Sequence, residues 1–319
     1  MAEEATYSIT DAVQEPKKHS FLVDVCIRLW REKPLGIIGG IIVLAMFLTG
    51  IFADFLAPYP YAEMNLAEAL QPPSESHFLG TDNYGRDLFS RIIYGARVSV
   101  YVGLAGTIIC TLLATIIGIS SGYLGGTFDI TVQRFVDAWL CFPQLFLMLS
   151  LMAVLGPGMT QVILVLGVRF GISSSRIVRS AVISIKDNLY MHAAVAIGCP
   201  TWRIILRHAL PNVMAPIIVM FTTRMGAIIL AEATLSFLGY GLPPPMPSWG
   251  GMLSGDGRRF MLLSPWLAIW PGLALSLVIY GINMLGDAIR DLLDPRLRGG
   301  IGRYGVAKVG KAGSPSKRG

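Results

Sequence analysis

The sequence predicts an all-α polytopic membrane protein with six transmembrane helices, and three observations carry that prediction. First, 53% of the 319 residues are hydrophobic, 14% are charged and the mean hydropathy is +0.59, which leaves too little polar surface to close a soluble sphere of this size. Second, uncharged or nearly uncharged stretches recur at 35–56, 98–122, 138–155, 159 to about 172, 210–235 and 261–286. The first of them, some 22 residues or about 33 Å of helix, is long enough for a hydrocarbon core of about 30 Å. Third, Lys and Arg gather between and after these stretches, not among aromatics on a soluble face, so the net charge of +6 points to a membrane and not to nucleic acid.

Taken in order, the first twenty residues are polar and have no apolar core followed by a small-residue cleavage site, so no cleaved signal peptide is expected. Over 21–33, apolar Phe21, Leu22, Val25, Cys26 and Leu29 alternate with Asp24, Arg28 and Arg31 at helical period, the pattern of a helix lying on the membrane. Small residues four apart, Gly36 with Gly40 and Gly118 with Gly122 and Gly126, favour close helix approach. Arg176, Arg179, Lys186, Arg203 and Arg207 precede the fifth stretch. Arg290, Arg296, Arg298, Arg303, Lys308, Lys311, Lys317 and Arg318 follow the sixth, which puts both groups and both termini in the cytoplasm. Arg86, Arg91 and Arg97 in the first outer loop run against that bias.

That loop, 58–97, is too long for a simple connection and should be structured. Its centre is LGTDNYGRD, in which Gly80 and Gly85 permit tight turns while Asp82, Arg86 and Asp87 can pair with one another or with backbone amides. A structural gate or brace fits better than a substrate contact. The stretch 236–263, with PPPMPSWGG, cannot be regular helix. Non-helical backbone near membrane depth must be covered by protein or line a wet cavity; the plainer alternative is a rigid connecting loop, with Trp249 and Trp266 equally at home as interfacial anchors. Within the spans, Arg169, Arg224 and Glu232 are ionisable, and Asp137 stands at the start of the third stretch. Arg224 and Glu232 are separated by about 12 Å and about 80° on one helix, so they are not an ion pair but helix-packing or cavity-lining groups.

The stretch 188–216, NLYMHAAVAIGCPTWRIILRHALPNVMAP, reads as two short helices at an angle. Asp187 or Asn188 can cap the first, Gly198 can end it in the left-handed conformation, Pro200 forbids continuation and Thr201 can cap the second. Leu189, Ala193, Ala196 and Ile197 share one face of a helix too short to hold its shape alone in water. Such a small, Ala-rich face invites a partner, whereas the plainer alternative is a surface loop between spans.

Several chemistries are excluded. Cys26, Cys110, Cys141 and Cys199 form no CxxC pair and make no zinc-ligand spacing with His19, His77, His192 and His208; Cys110 and Cys141 read as apolar filler, and no disulfide is implied. Gly305, Gly310 and Lys311 have phosphate-loop spacing, but Ala312 stands where a magnesium-holding hydroxyl is needed and no strand precedes it. The tail from Gly299 reads as disordered and suited to touching lipid. No catalytic constellation is present, so the chain is not expected to be an enzyme and its energy must come from another subunit.

The elbow's Ala193-Ala194, Gly198 and Leu210-Pro211 resemble the EAA loop of bacterial ABC importer permeases, with His192 in place of the usual Glu. GTDNYGRD, the run from Phe237-Leu238-Gly239-Tyr240-Gly241 through the prolines to Ser248-Trp249-Gly250, and the closing LGDAIRDLLDPRLR together resemble the C-type permease subunit of dipeptide and oligopeptide ABC importers over about 29–299. The resemblance implies a type I ABC importer permease fold: a tail with interfacial helix at 1–34, a first span with structured loop at 35–97, a five-span core at 98–290 with a coupling elbow at 188–207, and a tail at 291–319. It implies ATPase coupling through Tyr190, His192, Ala193, Ala194, Gly198, Trp202, Leu210 and Pro211, an extracytoplasmic gate or brace at Asp82, Arg86, Asp87 and Trp249, and cavity lining by Arg224 and Glu232. The partners implied are a B-type permease, two cytoplasmic ATPases holding ATP and magnesium, a solute-binding protein and inner-membrane lipid. This chain itself would bind no cofactor or metal. Peptide is the default cargo, with nickel, glutathione and opines as alternatives within the same mechanism; a stand-alone secondary transporter, or a membrane sensor, are readings of other classes.

Overall fold

The computed structural model describes residues 33–293; the expected interfacial helix and the basic tail lie outside the described residues. Helices α1 (Pro34–Ile51), α2 (Leu88–Leu124), α5 (Met159–Lys186), α7 (Met214–Phe237) and α9 (Trp266–Leu293) are each long and apolar enough to cross a membrane. Between them lie α3 (Gly126–Cys141) and α4 (Gln144–Leu155), a pair bent by 90°, then α6 (Leu189–Ala196) and the short α8 (Trp249–Leu253). The third stretch is therefore not one straight span over 138–155. Pro143 has no N–H to donate and drives Phe142 to extended backbone (φ −78°, ψ 132°), so the helix stops and restarts. Asp137 accordingly falls within α3, not at the head of a span.

The second span begins ten residues earlier than its apolar run. Asp87 accepts from Ser90 N at 2.8 Å and starts α2 at Leu88, so Arg91 and Arg97 are helical instead of looped. Similarly α5 runs on to Lys186 and takes Arg176 and Arg179 with it, while α9 begins at Trp266, not at 261.

Helix direction follows from close contacts. Along α2 and α5, Gly106 lies near Ile163, Gly171 near Cys110, and Gly118 and Gly122 near Ser175, Arg179 and Val182, so the two helices are parallel. The bent pair α3–α4 must therefore return the chain across the bundle. Helices α1 and α9 are antiparallel: Gly39 and Gly281 meet mid-helix, and Lys33 Nζ pairs with Asp291 at 2.6 Å. The described chain thus starts and ends at the same end of the bundle as the elbow. Lipid tails are as apolar as Leu, so these helices are held by close van der Waals fit. Gly118 and Gly122 do this work against α5, but Gly126 has open space around it. On α1 it is Gly39 that is jammed against its neighbour, with Gly281 O 2.5 Å from where a Cβ would sit, while Gly40 has only ordinary contact. Cys110 is buried filler as expected, whereas Cys141 is exposed at the end of α3.

Candidate functional site

The elbow is a short two-helix corner clamped to the bundle by one side only. Asn188 precedes α6 without a side-chain cap bond; its carbonyl accepts from Met191 N and His192 N instead. Gly198 (φ +77°) ends the helix in the left-handed region as expected. The second turn is preceded by Pro200, whose carbonyl accepts from Arg203 N and Ile204 N, so Thr201 is its first residue and not its cap. Five residues of π-helix follow, Ile205–Ala209, with Leu210 N donating to Ile205 O. The wider register makes room for Pro211, whose ring would collide with a carbonyl in a regular α-turn. Val213 N then bonds both Ala209 O and Leu210 O at 3.2 Å, and Ile217 N bonds Val213 O at 3.3 Å. Through Val213 and Ile217, backbone hydrogen bonds therefore link the elbow to α7 across Pro211 and Pro216.

Its inner face, Met191, Ala194, Ile204 and Ala209, packs with Cys199 against Tyr123 at the end of α2 and Ile185 at the end of α5. Its outer face is apolar and bare: Leu189 is 85% exposed, Ile197 79% and Trp202 61%, with Tyr190, His192, Ala193, Val195 and Ala196 exposed beside them. Of the expected coupling residues, Ala194 alone faces inward; Leu210 is half-buried and Pro211 exposed.

At the opposite end, GTDNYGRD folds into a buried brace. Asp82 Oδ1 accepts from Tyr84 N at 2.9 Å and Arg86 N at 3.0 Å, while Oδ2 accepts from Arg86 Nε at 2.6 Å. Arg91, one turn into α2, adds an ion pair to Asp82 at 3.7 Å and donates to Tyr61 O at 3.0 Å. Asp87 caps α2 with one oxygen and meets His77 Nδ1 at 2.9 Å with the other, and His77 Nε2 reaches Glu68 at 3.3 Å. Burial pushes the His77 imidazole down, but its bonds to Asp87 and Glu68 outweigh that and hold it above its ordinary value. Trp249 is not an interfacial anchor: it is buried against Gly95 and donates to Ile92 O at 3.1 Å, bolting α8 to α2. Trp266 likewise donates to Thr81 O at 3.4 Å. Within the bundle, Glu232 accepts from Ser236 Oγ at 2.7 Å and does not meet Arg224.

Residues 114–299 match the family described as binding-protein-dependent transport system inner membrane component. The chain belongs to that family. Residues 20–73 of this permease also match the N-terminal TM domain of oligopeptide transport permease C. It is 41% identical to the dipeptide transport system permease protein DppC of Alkalihalophilus pseudofirmus, over 84% of this chain and 90% of that protein. It is 36% identical to the oligopeptide transport system permease protein OppC of Bacillus subtilis, over 93% of this chain and 97% of that protein. A solved structure titled as inward-facing conformations of the MetNI methionine ABC transporter aligns with TM-score 0.48 and 18% identity, over 61% of this chain and 94% of that one. With its membrane-spanning helices and this family, the permease is a multi-pass inner-membrane protein.

Sequence reasoning missed two groups in this permease. Met191 and Ala209 clamp the elbow to the bundle, and only the contrast between their spacing and that of Leu189, Ala193 and Ala196 hints at a second, inward face. His77, Glu68 and Thr81 complete the brace from residues that carry no helical or charge pattern of their own.

Proposed function

We propose that this chain is the C-type permease subunit of an ATP-driven peptide importer. It forms the translocation path with a B-type permease, receives cargo from an extracytoplasmic solute-binding protein, and is driven by two cytoplasmic ATPases that hold ATP and magnesium. In this reading the elbow end of the bundle and both termini are cytoplasmic, which suits the Lys and Arg collected there. Its relatives named for dipeptides and oligopeptides favour peptide as cargo.

The observation that carries the reading is the elbow's bare outer face. A two-helix corner with Leu189, Ile197 and Trp202 in the open is an interface awaiting a protein, since apolar exposure on this scale is otherwise costly. Tyr190, His192, Ala193, Gly198 and Trp202 would fit a groove of the ATPase, with Leu210 and Pro211 passing its movement into α7. Coupling is then mechanical: ATP-driven approach of the two ATPases tilts α7 and with it the bundle. Asp82, Arg86, Asp87 and Trp249 brace the far end so that α2, α8 and the first loop move as a block.

The test is to place charge on the outer face. Ala193→Lys should leave the permease in the membrane but lower co-purification of the ATPases and peptide uptake about tenfold or more, as for a central interface residue. Gly198 has no atom within 4 Å of an added Cβ, so Gly198→Trp strains the left-handed backbone and adds bulk outward, with the same expected loss. Normal uptake by both variants would overturn the assignment.

A further inference from the structure

Two cations stand at mid-depth of the bundle. Arg169 is ten residues past Met159 on α5 and Arg224 ten residues past Met214 on α7, each about 15 Å into its helix from opposite ends of the bundle. Arg169 is only 5% exposed, and its Nε has no hydrogen-bond partner. Arg224 is half-buried, with its Cζ 5.8 Å from the ring centroid of Phe170, the residue next to Arg169. The contact with Phe170 places Arg224 beside the stretch of α5 that carries Arg169.

Among the described residues neither has an ion pair. Glu232, the one acid well inside the spans, is two turns along α7 and occupied with Ser236. The Phe170 ring gives Arg224 a cation–π contact but does nothing for the Nε of Arg169. Charged groups at this depth are costly and normally face a counter-charge or an aqueous path. Two that repel each other make the arrangement more costly still, unless an anion is brought between them. Arg224 is half-buried and not sealed, which leaves an anion a way in at its own side chain, while the exposed Thr223, Leu230 and Phe237 lie about 100–140° further around α7.

We propose that Arg169 and Arg224 form a carboxylate site in the translocation path, which holds the free C-terminus of a peptide in transit. Each planar guanidinium offers paired N–H donors to a carboxylate oxygen, a geometry that an amide or an alcohol does not satisfy. The inference rests on the peptide-importer reading and adds to it the part of the cargo that this subunit recognises. A carboxylate from the second permease would satisfy the same chemistry, so the experiment separates the two sources.

The complete importer, with its binding protein, is reconstituted in liposomes. Initial uptake is measured for Ala-Ala and for Ala-Ala amide, each at a concentration that saturates the binding protein. Wild type should move the acid about tenfold faster or more. Arg169→Gln and Arg224→Gln should bring the acid down to the rate of the amide and leave the amide unchanged, and Arg169→Lys should keep most of the preference. Equal loss for both peptides, or failure of the two permeases to co-purify, would mean that the cations serve the fold or a neighbouring subunit's carboxylate, and the proposal falls. Transport of neither peptide by wild type would sink the peptide reading instead. The site is then decided without the binding protein, by calorimetric titration of the importer in nanodiscs with N-acetylalanine and its amide. Binding of the acid alone, abolished in Arg169→Gln, supports the site; identical heats for wild type and variant overturn it.

Discussion

Asp87 makes three bonds to two neighbours: it caps α2 through Ser90 N, accepts from Ser90 Oγ at 2.7 Å and meets His77 at 2.9 Å. A single N-cap is worth about 1 kcal/mol. Here removal of the carboxylate also strips a buried imidazole, so Asp87→Ala should cost about 2–4 kcal/mol, read as a lower midpoint of unfolding of the purified permease. The histidine gives the brace a pH dependence. Folded His77 keeps its proton above the ordinary 6.5 at which the unfolded chain releases it. Its contribution is therefore complete below about 6.5 and is lost as pH rises through the raised native value. Wild-type Tm should fall across that window by more than the Tm of His77→Gln, and parallel curves for the two proteins would refute the assignment. Gly85 sets the turn of the same brace: with φ +72° and Asn65 O 1.7 Å from the position of an added Cβ, Gly85→Ala forces the loop apart. The expected loss exceeds about 3 kcal/mol, measurable as protease sensitivity within 58–87.

At the scale of elements, what holds α2 to α5 is the absence of side chains. At Gly118 a Cβ would stand 2.6 Å from Ser175 O and 2.9 Å from Arg179 N, both backbone atoms that cannot step aside. Gly118→Leu should therefore cost more than about 3 kcal/mol and part the helices, while the same change at Gly126, with open space around it, should cost only the strain of its left-handed backbone (φ +58°), about 1–2 kcal/mol. Comparison of the two midpoints of unfolding checks this. The spacing of Gly118 and Gly122 was legible in the sequence because close packing needs small residues on one stripe. The choice of Gly39 over Gly36 and Gly40 was not, since three glycines on one turn leave the facing one to the partner helix. Nor was the corner at Phe142-Pro143 legible: 138–155 is apolar throughout, and hydropathy is blind to a break that only the missing N–H of Pro143 dictates. The start of α2 was hidden by the opposite effect, because Arg91 and Arg97 look like loop residues until their partners, Asp82 and Asp54, are placed beside them.

Across the whole molecule, the elbow can act on the bundle only if the helix ends beneath it do not yield. It rests on Tyr123 of α2 and Ile185 of α5, and α5 is in turn tied to the bent α3. Asp129 accepts from Arg179 Nε at 2.7 Å and Nη2 at 2.5 Å, a two-point fork, and Asp137 pairs with Arg176 one turn earlier. Both acids lie on α3 and both arginines on α5, so the pairs lock the broken crossing to the helix that carries the elbow. Their partial exposure limits their share of stability to about 1 kcal/mol each. Position is the larger effect: a loosened α3 lets the end of α5 move under the elbow, and movement delivered there is absorbed locally before it reaches α7. Arg179→Lys keeps the charge but loses the fork. Asp129→Asn and Arg179→Lys should therefore each leave the assembled importer hydrolysing ATP at near the wild-type rate while uptake falls about threefold to tenfold. The double variant should be no worse than either single one, as expected for residues that act as one unit. Additive losses, or a fall in ATP hydrolysis that matches the fall in uptake, would show that the fork is separate from the path by which, in the proposed importer, the elbow would drive the bundle.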